Sequence, residues 1–147
     1  MRNESELCTV FKNSLIVVKE LGYKIPDPSG DYAKTIKRPF DLIGSWEGKL
    51  LVVECKYMST LGSFSLQRVE DHQMEALLQW SRGIPNTQAW IVLGVNVKRG
   101  DNRVYVFKDM EEIQRRRDLK ENFLKKDLEK MSHFEIHKGL IDLNLTK

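Results

Sequence analysis

Apolar residues recur at helical spacing near the start of the chain. Leu7, Val10, Phe11, Ser14, Val18 and Leu21 make one face and predict a helix over 3–21, with Gly22 as its stop. "YKIP" reads as a short strand, and "PDPSGDYAKTIKRP" as a loop rich in Pro, Gly and polar residues. Two strands follow, 40–44 and 50–57, joined at "EG". A second helix is expected over 66–81, capped by Ser65, stopped by Gly83 and Pro85, with Val69, Ala76, Leu77 and Trp80 as its buried stripe. "AWIVLGV" is a continuous apolar run, the mark of a strand covered on both faces. "KRGDNR" is a turn and "VYVF" the return strand; Asp109 caps a short helix through Ile113. From about residue 114 the chain is a charge-rich C-terminal extension, read as solvated helix, before a late strand in "HFEIHKGLIDLNL". The order α–β–β–β–α–β–β–α implies an α/β domain in three layers or with a mixed sheet.

The hairpin raises the chemical question. With Glu47-Gly48 as a two-residue turn, Trp46 faces Lys49, and the same register carried back sets Asp41 opposite Glu54. An odd-length loop would move the carboxylates to different faces. Alternation sends Leu51, Val53 and Cys55 one way, and Leu50, Val52, Glu54, Lys56 and Asp41 the other. Facing residues lie about 4.5–5.5 Å apart at Cβ, and like charges there cost roughly 0.2–1 kcal/mol when exposed. Burial raises that cost. A divalent cation between the carboxylates would offset it. Oxygen-only ligands suit Mg²⁺, with Mn²⁺ as a substitute, rather than zinc. Such an ion can activate water and polarise a phosphoryl oxygen. Lys56 adds positive charge where a phosphoryl transition state gathers negative charge. Metal-assisted phosphodiester hydrolysis is the sharp reading; an ordinary charge ladder on a half-exposed hairpin is the plain one.

Composition narrows the setting. The 147 residues suit one domain, here read as a single unit over 1–147. Apolar residues are 41% and charged residues 31%, an ordinary globular balance, and no apolar run approaches the ~20 residues of a membrane span. No secretion signal opens the chain, so a cytoplasmic protein with no membrane partner is expected. Cys8 and Cys55 read as unrelated free thiols of a reducing compartment. The net charge of +3 is compatible with nucleic acid without requiring it. His133 and His137 lack the HExxH order of a zinc site, and no phosphate-binding glycine loop occurs. Arg115, Arg116 and Arg117 read as a solvated face or as DNA contacts.

Pro39-Phe40-Asp41 followed by Glu54-Cys55-Lys56 resembles the PD-(D/E)xK nuclease superfamily. "SFSLQRVEDHQMEALLQW", with Ser63-Phe64-Ser65-Leu66 and then His72-Gln73, resembles the segment after the active-site strand in RecU-type Holliday junction resolvases. The likeness spans about 40–113. Archaeal junction resolvases supply a second similarity, a Glu-x-Glu-Leu phrase on the first helix, here Glu4-Ser5-Glu6-Leu7.

These resemblances imply a restriction-endonuclease-like core (αβββαβ) and roles for named residues. Asp41 and Glu54 would bind metal, with Glu4 as the accessory carboxylate in preference to Glu6. Lys56 would orient water or stabilise the transition state. Gln73 would touch metal-bound water or the scissile phosphate, and His72 would be structural. RecU proteins carry a stalk before the aspartate; the stretch here, Pro26 to Pro39, is short, and Lys34, Lys37 and Arg38 read equally as its phosphate contacts or as a solvated loop. The expected activity is a Mg²⁺-dependent endonuclease resolving four-way or branched DNA junctions. Two symmetric cuts call for a homodimer. A restriction- or repair-type nuclease on other DNA structures, and a DNA-binding module without catalysis, are the competing readings.

Overall fold

The computed structural model describes residues 1–26 and 37–146. In chain order the elements are α1 (Glu4–Val17), β1 (Gly22–Lys24), β2 (Leu42–Trp46), β3 (Lys49–Met58), α2 (Asp71–Gly83), β4 (Thr87–Lys98), β5 (Asp101–Phe107), α3 (Met110–Asp118), α4 (Lys125–Lys130) and β6 (Phe134–Glu135). The six strands form one sheet in the order β1-β2-β3-β4-β5-β6. Only β3 and β4 run parallel, because α2 carries the chain back across the sheet between them; every other pair is antiparallel.

Helices cover both faces, giving the expected three-layer α/β architecture. α1 and the C-terminal residues Ile141 and Leu143 pack over Leu51, Val53, Cys55, Trp90 and Val92. The other face buries Val52, Ile91, Leu93 and Tyr105 beneath Met74 and Leu77 of α2, Ile113 of α3 and Leu128 of α4. Trp90, Ile91 and Val92 alternate between the two cores, which is why that strand is apolar on both sides.

The hairpin register is the expected one. Trp46 pairs with Lys49 and Leu42 with Val53, around a two-residue turn. Glu47 (φ 51) and Gly48 (φ 79) both adopt left-handed backbone, as a type I′ turn requires.

Four expectations change. α1 ends at Val17, not Leu21, because Lys19 turns left-handed (φ 65) and breaks the helix. Leu21 is then 72% exposed, and the buried face is Leu7, Cys8, Phe11, Ser14 and Leu15. The single helix expected over 66–81 is split into a 3₁₀ turn, Leu66–Arg68, and α2 from Asp71. Ser65 caps the turn by accepting from Gln67 N–H, and Val69 is extended and fully buried between the two pieces. The charge-rich stretch from 114 is not merely a solvated helix. Phe64 and Phe123 exchange backbone hydrogen bonds (2.7 and 3.2 Å), and Leu128 is buried. Finally, Cys8 and Cys55 are free as expected, and both are buried, but they are not unrelated. The two thiols interact where α1 meets β3, which lowers the Cys8 pKa and raises that of Cys55, and the Cys8 thiol also donates to Asp41 O (3.9 Å).

Candidate active site

β3 delivers Glu54 and Lys56 to the same face of the sheet, two residues apart. Both are almost fully buried, an expensive placement for charge unless partners compensate. Asp41 lies one step beyond the last β2–β3 pair, so the ladder does not set it opposite Glu54 as a regular hairpin would. Its N–H donates to Val53 O (3.0 Å), and its own carboxylate oxygen Oδ2 accepts from Cys55 N–H (2.8 Å) where a backbone carbonyl would otherwise stand. This turns the Asp41 side chain into β3 and brings the two carboxyl groups together.

The electrostatics follow. Burial pushes the Glu54 carboxyl up to about 9; the neighbouring Asp41 carboxylate pushes the same way, and Lys56 opposes them. Lys56 Nζ is 3.7 Å from Glu54 Oε1. Gln73, in the first turn of α2, ties the pair together. Its Nε2 donates to Glu54 Oε1 (3.2 Å), while its Oε1 accepts from Lys56 Nζ (3.1 Å) and from Glu70 N–H (3.0 Å). Glu54 Oε2 is buried and receives no hydrogen bond from the described residues. An orphaned carboxylate oxygen facing a second carboxylate fits a hard divalent cation.

The remaining expected site residues sort clearly. Glu4 lines a cavity of about 480 Å³ together with Asp41, and its Oε1 lies 3.5 Å from Arg68 Nη2. Glu6 pairs with the N-terminus and Arg2 instead. Among the described residues no three His, Cys, Asp or Glu side chains stand close enough together to cage a metal, so Glu4, although it shares a cavity with Asp41, does not join Asp41 and Glu54 in a ready-made ligand set. Arg38, expected on DNA, forms an ion pair with Asp41 Oδ1 (2.6 Å) and donates to Ile25 O (3.0 Å). Lys37 is exposed, and Lys34, like most of the expected stalk, falls outside the described residues. His72 lies beside Glu70, 3.4 Å away. His133 and His137 flank the short strand β6, as their β-branched neighbourhood suggested.

The arginine run is engaged with the protein. Arg117 donates to Val69 O (2.9 Å) and Asp71 Oδ1 (2.5 Å), Arg116 stacks over Phe123, and Arg115 pairs with Glu112 and Glu121. Two basic residues escaped sequence reasoning. Arg68 donates to Tyr57 O (2.8 Å) beside Glu4, and Lys24 lines the cavity with Asp41. A lysine in the short "GYK" strand was the available signal for the second. No helix among the described residues is long and apolar enough to cross a membrane.

Comparison with known proteins agrees with the resemblance and sharpens it. Residues 18–135 match the family model of the archaeal Holliday junction resolvases (Hjc). Among solved structures the chain is similar to the Holliday junction resolvase Hjc of Archaeoglobus fulgidus, at 17% identity and a TM-score of 0.43 over 69% of this chain and 71% of that one. No curated protein matches. The archaeal branch, the second similarity in the sequence, therefore replaces the RecU branch as the assignment. The chain belongs to the archaeal Holliday junction resolvase family and is a junction-resolving nuclease of the PD-(D/E)xK type.

Proposed function

We propose that the chain is a Mg²⁺-dependent endonuclease that cuts four-way DNA junctions, with Asp41, Glu54, Lys56, Gln73 and Glu4 as its working residues. The observation that carries this reading is the convergence of Asp41, Glu54, Lys56 and Gln73 around a buried, unpartnered Glu54 oxygen. Asp41 and Glu54 hold the ion, and Mn²⁺ substitutes for it. Glu4, which shares a cavity with Asp41, would be the accessory carboxylate. Bound there, the metal supplies Lewis acidity toward a phosphoryl oxygen and a more acidic water. Lys56, held by Gln73 and Glu54, places a fixed positive charge against the phosphoryl oxygens as they gain negative charge. Gln73 fixes the orientation of both neighbours. Burial of Glu54 and Lys56 keeps bulk water from weakening these interactions.

Resolution needs two symmetric cuts, and the described residues hold one such site. The working form is therefore a homodimer with two-fold symmetry, acting through a single nuclease domain spanning residues 1–147. Lys34, Lys37 and Arg38 would be the DNA contacts on this side of the site, Arg38 lying next to it through its ion pair with Asp41. Two free cysteines fit a cytoplasmic enzyme.

The test is cleavage of a synthetic four-way junction beside flap and plain duplex DNA, with Mg²⁺, with Mn²⁺ and with chelator. Paired nicks confined to the junction, present with either metal and absent in Asp41→Asn and Glu54→Gln, are expected. Nicks undiminished in Asp41→Asn would remove the assignment of the site. Equal cutting of all three substrates would remove the junction preference. Sedimentation with the junction should report two chains per DNA.

A further inference from the structure

The cavity beside Asp41 is lined by Glu4, Ser5, Cys8, Lys24, Arg38 and Asp41. Lys24 is placed in it by the sheet. It pairs with Leu42, the neighbour of Asp41, and the next residue, Ile25, donates its N–H to Asp41 O (2.9 Å). The Lys24 backbone is thereby tied to the backbone at Asp41. Its ammonium is aimed by α1, donating to Ser5 O (3.2 Å), Ser5 Oγ (3.3 Å) and Thr9 Oγ1 (3.1 Å). All three acceptors are neutral. Among the described residues no carboxylate stands within ion-pair distance of Lys24, although Glu4 and Asp41 share its cavity. Arg38, by contrast, is engaged with Asp41.

We propose that Lys24 is a phosphate-binding residue, holding a backbone phosphate of the DNA strand that occupies this cavity on the α1 side of Asp41. Lysine serves phosphate as a compact point charge, and one that is already oriented loses little freedom on binding. The neutral hydroxyls that aim it leave its charge uncompensated for an incoming phosphate. A contact there would set which phosphate along the strand meets Asp41 and Glu54. The inference rests on the proposed nuclease site.

The experiment measures binding of a synthetic four-way junction in EDTA, so that nothing is cut, across a series of KCl concentrations. Each phosphate neutralised contributes about 0.9 to the slope of log affinity against log salt. Lys24→Gln should flatten that slope by about 0.9 and weaken binding at low salt. Lys24→Arg should restore both. Mn²⁺ affinity, measured calorimetrically without DNA, should be unchanged in either variant. An unchanged slope in Lys24→Gln overturns the inference; if its melting temperature also falls, Lys24 is only a tie between β1 and α1. Failure of the wild-type chain to bind the junction would instead overturn the nuclease reading, and this inference with it.

Discussion

Gln73 on α2 and Glu54 on β3 are joined by a hydrogen bond of 3.2 Å, and the same glutamine takes the Lys56 ammonium at 3.1 Å. One amide thus sets the positions of a carboxylate and a cation that the sheet alone would leave to repack. Gln73→Ala removes both contacts, together with the cap it gives Glu70 N–H, without touching the core. Loss of a partner that orients a metal ligand typically costs 10–100-fold in affinity or activity. Junction cleavage should fall by about that factor, with weaker Mn²⁺ binding and a near-normal circular dichroism spectrum. Full activity in this variant would show that Glu54 and Lys56 hold themselves.

The raised Glu54 pKa makes metal-free stability depend on pH. The folded chain holds a proton up to about 9 that an ordinary carboxyl releases near 4.5. Between those values the folded state binds more protons than the unfolded state, so stability is highest at the acid end and falls as pH rises toward 9. Asp71 and Glu111 are shifted the other way by Arg117 and Arg82, but both are fully exposed and solvent screens them. In EDTA the melting temperature should decline with pH across this window. Saturating Mg²⁺ should remove the decline, because the ion takes the place of the proton. A melting temperature that climbs with pH in EDTA would contradict this account of Glu54.

Gly44 lies where β1 and β2 come too close for a side chain. A Cβ there would sit 2.2 Å from Leu21 O, a backbone atom that cannot rotate away. Gly44→Ala must push the edge strand outward, and overpacking of this kind costs about 1–3 kcal/mol. A clear drop in denaturant midpoint is expected. Since β1 carries Lys24, junction affinity should drop with it.

Arg117 is a structural clasp rather than a DNA contact. Its side chain is 12% exposed and holds Val69 O at the break between the 3₁₀ turn and α2. Arg117→Ala should cost about 1–2 kcal/mol, chiefly from the backbone carbonyl left unpaired, with Asp71 adding little because it is exposed. The salt slope for junction binding should stay at the wild-type value. A flatter slope would return the arginine run to the DNA surface.

Local pattern settled much of this protein. The two-residue turn at Glu47-Gly48, the alternation along β3 and the two-sided apolar run of β4 depend on neighbours in sequence, where period and turn chemistry act directly. They were enough to place Glu54 and Lys56 on one face and Asp41 next to the hairpin, but Asp41 reaches Glu54 through its side-chain bond to Cys55 N–H rather than through the ladder. What remained depended on groups far apart in the chain. The break between Arg68 and Asp71 follows from burying Val69 under Arg117, 48 residues away. Arg38 turns inward because Asp41 needs a counter-charge, and Cys8 meets Cys55 only once α1 lies on the sheet. Phe123 joins the core by pairing with Phe64, which no helical period in a charge-rich segment could reveal. Above all, the burial that drives the Glu54 carboxyl upward exists only when α2 closes over β3. Desolvation is a property of the packed interior, and the residue order fixes only which groups will face it.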